Sequence, residues 1–160
     1  MHSENGRERA LSINGHKLSF LAYNEEKGGP PFVFIHGFTG TAKFWELLHR
    51  PALRDKVRWY SLSLIGHYPA ALPPDFRREQ LNADEMGAIY IQALRELADD
   101  EPVVLAGHST GGFAALNVAA RAPARVRALI SISGFASGRW VGGLGFNQML
   151  ARRFGPVGEF

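Results

Sequence analysis

Four short runs rich in apolar residues, 32–35, 57–64, 102–106 and 126–133, are separated by stretches of helical periodicity. That alternation constrains the fold more than any single residue does. A strand with apolar side chains at consecutive positions is buried on both faces, and such strands belong to parallel sheets whose crossovers are helices. Phe32, Val33, Phe34 and Ile35 form such a run. Met86, Ile89, Tyr90, Ala93, Leu94 and Leu97 recur at i, i+3, i+4, i+7, i+8 and i+11, which predicts one helix face. Thr41 is placed to N-cap a helix carrying Phe44, Trp45 and Leu48 that stops near Pro51. Phe113, Leu116 and Ala120 mark a later helix that ends before Pro123. Ahead of these, 11–13 and 17–23 flank Asn14-Gly15, a pair suited to the positive-φ positions of a type I′ hairpin turn. The expected fold class is α/β: a mostly parallel sheet with helices on both faces, fronted by an antiparallel hairpin.

Residues 1–9 are polar and read as a disordered tail, 10–134 as the α/β core, and 135–160 as a region where the alternation stops. There, a Gly-rich stretch precedes Phe146, Met149, Leu150 and Phe154, a short amphipathic pattern. With 46% hydrophobic residues among 160, the chain has material for a real core. It has no cysteine, which excludes disulfides, thiolate catalysis and Cys-based zinc sites. The net charge of +3 is mild. From Ser109 onward six arginines face one acid, Glu159, yet no basic run is interleaved with aromatics, so the arginines read as a solvated surface and no nucleic-acid partner is expected. Met1–Ala10 has no apolar core of a signal peptide, and no run of about 18 apolar residues exists, so the reading is cytoplasmic with no membrane partner. No cofactor or metal is expected. The spacing in 107–112 is G-x-x-x-G-G rather than G-x-G-x-x-G, and 37–43 lacks the Gly-Lys-Ser/Thr of a phosphate loop.

The chemistry sits at Gly107-His108-Ser109-Thr110-Gly111, a G-x-S-x-G motif between an apolar strand and a helix. A serine on so tight a turn has a strained backbone, and its neighbours are glycines because other backbone approaches too closely for a Cβ. The turn also sets Ser109 at a helix N-terminus, where unpaired N–H groups stabilise negative charge. A second element follows the first buried strand: His36-Gly37-Phe38-Thr39-Gly40. The backbone N–H groups of Phe38 and Thr110 are the candidate oxyanion donors.

These two motifs make the stretch from about Leu11 to Gly134 resemble the α/β-hydrolase superfamily, in its esterase, lipase and haloperoxidase-like branch. H-G-F-T-G resembles that family's oxyanion loop and G-H-S-T-G-G its nucleophile elbow. The resemblance implies Ser109 as nucleophile, Phe38 and Thr110 as oxyanion donors through their backbone, and His36 as a brace for the loop, with Gly37, Gly107, His108 and Gly111 supporting. It also implies that 135–160 begins a cap inserted after the sixth strand. The chain departs from the family in carrying Ser63-Leu64-Ile65-Gly66-His67-Tyr68 where a D-x-P-G-x-G-like loop is common. It departs further in its ending, because the family order is Ser, then acid, then His. No histidine follows Ser109, and the only later acid is Glu159. Among the other histidines, His67 in the loop is the best placed for a base, His108 should point away from the site, and His2, His16 and His49 read as surface residues. The expectation is a serine hydrolase acting on an ester-like, apolar small-molecule substrate, truncated after about the sixth strand and completed by a C-terminal segment or chain. Its rival is a non-catalytic remnant or binding module that keeps the fold without the reaction.

Overall fold

The computed structural model describes residues 6–47, 55–77 and 80–136. The first two strands, β1 (Arg7–Ile13) and β2 (His16–Tyr23), form an antiparallel hairpin. Asn14 at φ 50° and Gly15 at φ 80° make its turn, as the Asn-Gly pair anticipates. The strand starts at Arg7, inside the stretch read as a tail. Pairing of Arg7 with Ala22 and an ion pair of Arg9 with Glu25 hold the charged outer strand in place.

Four further strands follow: β3 (Phe32–Ile35), β4 (Trp59–Leu62), β5 (Val103–His108) and β6 (Val126–Ile132). The sheet order is β1-β2-β4-β3-β5-β6. The β4–β3, β3–β5 and β5–β6 pairs are parallel, and β2–β4 is antiparallel. This is the hairpin-fronted, mostly parallel sheet the alternation implies. Helix α1 (Ala83–Ala98) and helix α2 (Thr110–Arg121) are the crossovers on either side of β5. Asn82 caps α1, its side-chain oxygen accepting from the N–H groups of Asp84 and Glu85 at 2.9 Å each.

The pleat sorts the core into two layers. Val33, Ile35, Tyr60 and Leu62 lie on one face with Leu18 and Phe20, under Ile89, Tyr90, Ala93 and Leu94 of α1 and Ala114, Ala115 and Val118 of α2. Trp59, Leu21 and Tyr23 lie on the other, with Ala42, Trp45 and the flanking Phe32, Phe34 and Phe44. On this second face the segment opened by Thr41 is a 3-10 helix, Ala42–Leu47, rather than an α-helix. Thr41 Oγ1 accepts from Lys43 N at 3.2 Å. Leu48 and Pro51 lie outside the described residues.

The helix marked by Phe113, Leu116 and Ala120 is α2, which ends before Pro123 as expected, and its buried face is Gly111, Gly112, Ala114, Ala115 and Val118. The helix lies so close to the sheet that only small residues fit, and Phe113 instead stacks on Phe135 at 5.0 Å. Strand β6, expected to be buried, is largely exposed among the described residues, with Ile130 at 46% and Ile132 at 42%. Among the described residues it pairs with β5 and stands last in the strand order.

Candidate active site

Ser109 occupies the junction of β5 and α2 with φ 52° and ψ −115°, a conformation that L-residues adopt only under strain. Two bonds hold it there. Its N–H donates to the Ile132 carbonyl at 2.9 Å, and its carbonyl accepts from Phe113 N at 3.0 Å. The flanking glycines are explained by what a Cβ would strike. At Gly107 it would lie 2.2 Å from the Gly111 carbonyl oxygen, and at Gly111 2.3 Å from the Ile35 carbonyl oxygen. The turn therefore closes on itself and on the end of β3 with no room for a methyl group.

That close approach brings the His36–Gly40 loop to the serine. A Cβ at Gly37 would sit 3.2 Å from Ser109 Cβ and 2.7 Å from His108 Nδ1. The His108 ring stacks on Phe44 at 5.3 Å. Among the described residues, neither the Phe38 N–H nor the Thr110 N–H donates to a backbone carbonyl. Phe38 is 64% exposed.

His36 is fully buried and joins two loops. Leu64 N–H donates to its Nε2 at 3.0 Å, so that nitrogen carries no proton. The proton is on Nδ1, which donates to the Gly37 carbonyl at 2.7 Å. Burial lowers its pKa to about 4, against a smaller raising effect of the Gly37 bond and with a further lowering by the nearby His67 ring. The ring is a neutral strut. The loop it meets is tied at its start. Ser63 N donates to the Ser19 carbonyl at 2.8 Å, Ser63 Oγ accepts from Ser19 N at 3.0 Å, and Tyr90 Oη donates to the Ser63 carbonyl at 3.1 Å. Ser63 thus anchors this loop through its hydroxyl, and Gly66 turns it at φ 73°.

His67 does not present a free nitrogen to Ser109. Its Nε2 lies 2.8 Å from the Phe38 carbonyl and its Nδ1 3.4 Å from the Ile65 carbonyl. His16 is not a surface residue either. It is 2% exposed, with Nε2 3.7 Å from Glu85 and its ring edge-on to Phe76. It lines an open polar cavity of about 480 Å³ beside the hairpin turn, which does not include Ser109. His2 and His49 lie outside the described residues, as does Glu159. No group of three His, Asp or Glu side chains among the described residues is placed to hold a metal ion. No described helix is long and apolar enough to cross a membrane.

A sequence profile of the alpha/beta hydrolase family matches residues 32–159. The chain is 38% identical over 131 residues to the dihydrolipoyllysine-residue acetyltransferase component of the acetoin cleaving system of Pseudomonas putida, covering 82% of this chain and 34% of that one. It is 31% identical to the (lyso)-N-acylphosphatidylethanolamine lipase of Mus musculus, covering 68% of this chain and 31% of that one. The chain spans about a third of the length of these curated relatives. Among solved structures, the thioesterase domain from the curacin biosynthetic pathway superposes with a TM-score of 0.73 at 18% identity, over 96% of this chain and 53% of that one.

Proposed function

The chain belongs to the alpha/beta hydrolase family, and from that premise we propose that it is the nucleophile-bearing part of a serine hydrolase that acts on ester-like, apolar small molecules. The observation that carries the reading is the strained backbone of Ser109, packed within methyl-group distance of the His36–Gly40 loop. Strain of this kind persists only where surrounding structure over-determines it, and it concentrates at sites of chemistry. Lipase names among the relatives are consistent with an ester substrate.

In the proposed reaction Ser109 Oγ bonds to the substrate carbonyl carbon while its proton passes to a general base. The carbonyl oxygen becomes an oxyanion held by the Phe38 and Thr110 N–H groups. Collapse expels the alcohol, which takes the proton from the base, and water then hydrolyses the acyl-enzyme by the same route. No histidine follows Ser109 in the 160 residues, and His67 is engaged elsewhere. The base and its acid are therefore proposed to come from a complementing segment or chain.

On this proposal, imidazole in solution should stand in for that base. The expected result is near-background hydrolysis of p-nitrophenyl acetate by the chain alone, rising with added imidazole beyond the rate of imidazole itself. The increment should vanish in Ser109→Ala. An increment that survives in Ser109→Ala would defeat the proposal and favour a non-catalytic module built on the same fold.

A further inference from the structure

The loop that approaches Ser109 is held at two successive peptide planes. Gly37 and Phe38 share one of them. Its carbonyl accepts from His36 Nδ1 at 2.7 Å and from Gly40 N at 2.9 Å. In a trans peptide the C=O and N–H point in opposite directions. Two donors on the Gly37 carbonyl therefore set the direction of the Phe38 N–H. The next plane, between Phe38 and Thr39, is free to rotate about ψ of Phe38 unless its own carbonyl is held. That carbonyl is 2.8 Å from His67 Nε2.

A carbonyl oxygen only accepts, so the 2.8 Å bond to Phe38 requires a proton on His67 Nε2, whereas the 3.4 Å contact of Nδ1 with the Ile65 carbonyl is too long to demand one. His36 carries its proton on Nδ1, so the two rings are in opposite tautomers, 5.6 Å apart and nearly perpendicular. His67 also meets the Phe38 ring edge-on at 5.2 Å, fixing the exposed side chain as well as the backbone. The link reaches further still, because His67 belongs to the loop that Leu64 joins to His36.

We propose that His67 is a positioning residue for the oxyanion loop, acting through its Nε2–H bond to the Phe38 carbonyl and not as a base. The inference rests on the hydrolase reading for its kinetic consequence, but not for its geometry. The Gly37 carbonyl sets the direction of the Phe38 N–H, and the His67 bond anchors the loop that carries it, so releasing the Phe38 carbonyl lets the whole His36–Gly40 loop shift and moves the Phe38 N–H relative to the oxyanion. Misplacement on the ångström scale lowers turnover by about 10- to 100-fold.

The test uses the full chain, p-nitrophenyl acetate and imidazole, with His67→Ala, His67→Gln and Ser109→Ala. Gln places an amide N–H near the position of Nε2 but cannot act as a base. His67→Ala should lose about tenfold or more in the Ser109-dependent kcat with KM little changed, and His67→Gln should recover most of it. Two wild-type rates from the two variants would overturn the proposal. So would two equally slow variants, which would mark the ring or its basicity as the requirement. Nitrogen-15 NMR of the imidazole rings gives a readout independent of turnover, expected to show protonated Nε2 at His67 and protonated Nδ1 at His36. A proton on Nδ1 alone at His67 would end the proposal. If wild type shows no Ser109-dependent turnover while the ring tautomers are as expected, the hydrolase reading fails and the clamp stands.

Discussion

Replacing Gly111 with alanine sets two local rules against each other. Gly111 lies in the first turn of α2, where alanine is the better helix former by at most about 1 kcal/mol. The new Cβ, however, would lie 2.3 Å from the Ile35 carbonyl oxygen and 2.5 Å from that of His36. Both obstacles are backbone of β3 and its exit, so no side-chain rotation relieves them. Overpacking of this kind costs about 3 kcal/mol when the backbone must move. The steric effect wins, with a net loss of about 2 kcal/mol. For a chain of this size that lowers Tm by about 4–8 °C. Because β3 leads directly into His36, the displacement also moves the His36–Gly40 loop relative to Ser109, so on the proposed mechanism the imidazole-dependent ester hydrolysis should fall with it. The assay is thermal unfolding followed by circular dichroism, with Gly28→Ala as control, since a Cβ there meets nothing within 4 Å. A Gly111→Ala chain that melts at or above the wild-type temperature would refute the close-approach argument.

The buried His36 makes stability depend on pH. Its folded pKa, about 4, lies below the unfolded value near 6.5, so the unfolded chain takes up the proton first. Its contribution is complete above the unfolded pKa and is lost as pH falls toward the folded one, about 2 kcal/mol between about pH 7.5 and 5. Urea midpoints should show that slope in wild type and lack it in His36→Ala; parallel slopes would contradict the neutral-strut assignment. At the end of the described sheet, Ile130 and Ile132 present exposed apolar side chains on a strand paired, among the described residues, along one side. Self-association is expected, as unprotected edges template pairing. Sedimentation should therefore show oligomers that Ile130→Lys with Ile132→Lys disperses, and a wild-type chain that stays monomeric at high concentration would count against it.

Sequence pattern exposed the parts of this molecule that large side chains define. Phe32–Ile35 is a strand because all its residues are apolar, and the face of α1 is marked by Ile89, Tyr90 and Leu94. Asn14-Gly15 announced its turn, and the glycines around Ser109 announced an elbow that the close contacts then explain. Pattern failed where packing depends on smallness. The buried face of α2 is mostly glycine and alanine, which carry little hydrophobic weight, so Phe113 and Leu116 mark the helix without showing which face it buries. It failed again where the surroundings decide burial. Charged residues concealed the start of β1, and His16 looked like a surface residue because nothing local shows Phe76 and Glu85 closing over it. Strand β6 is apolar in sequence but exposed among the described residues, because burial of its side chains depends on what covers the sheet faces and not on the strand's own composition. The bond from His67 to the Phe38 carbonyl joins residues 29 apart in the chain and leaves no mark on either segment.

The central claim is that Ser109 is the nucleophile, and the most direct measurement is the site of covalent modification by a fluorophosphonate. The phosphorus accepts the serine oxygen and expels fluoride, so only an activated hydroxyl beside oxyanion donors reacts at a useful rate. With imidazole present, intact-mass and peptide analysis should find one adduct, on the peptide containing Ser109, and none in Ser109→Ala. An adduct on a different residue, or equal labelling of wild type and Ser109→Ala, would contradict the account.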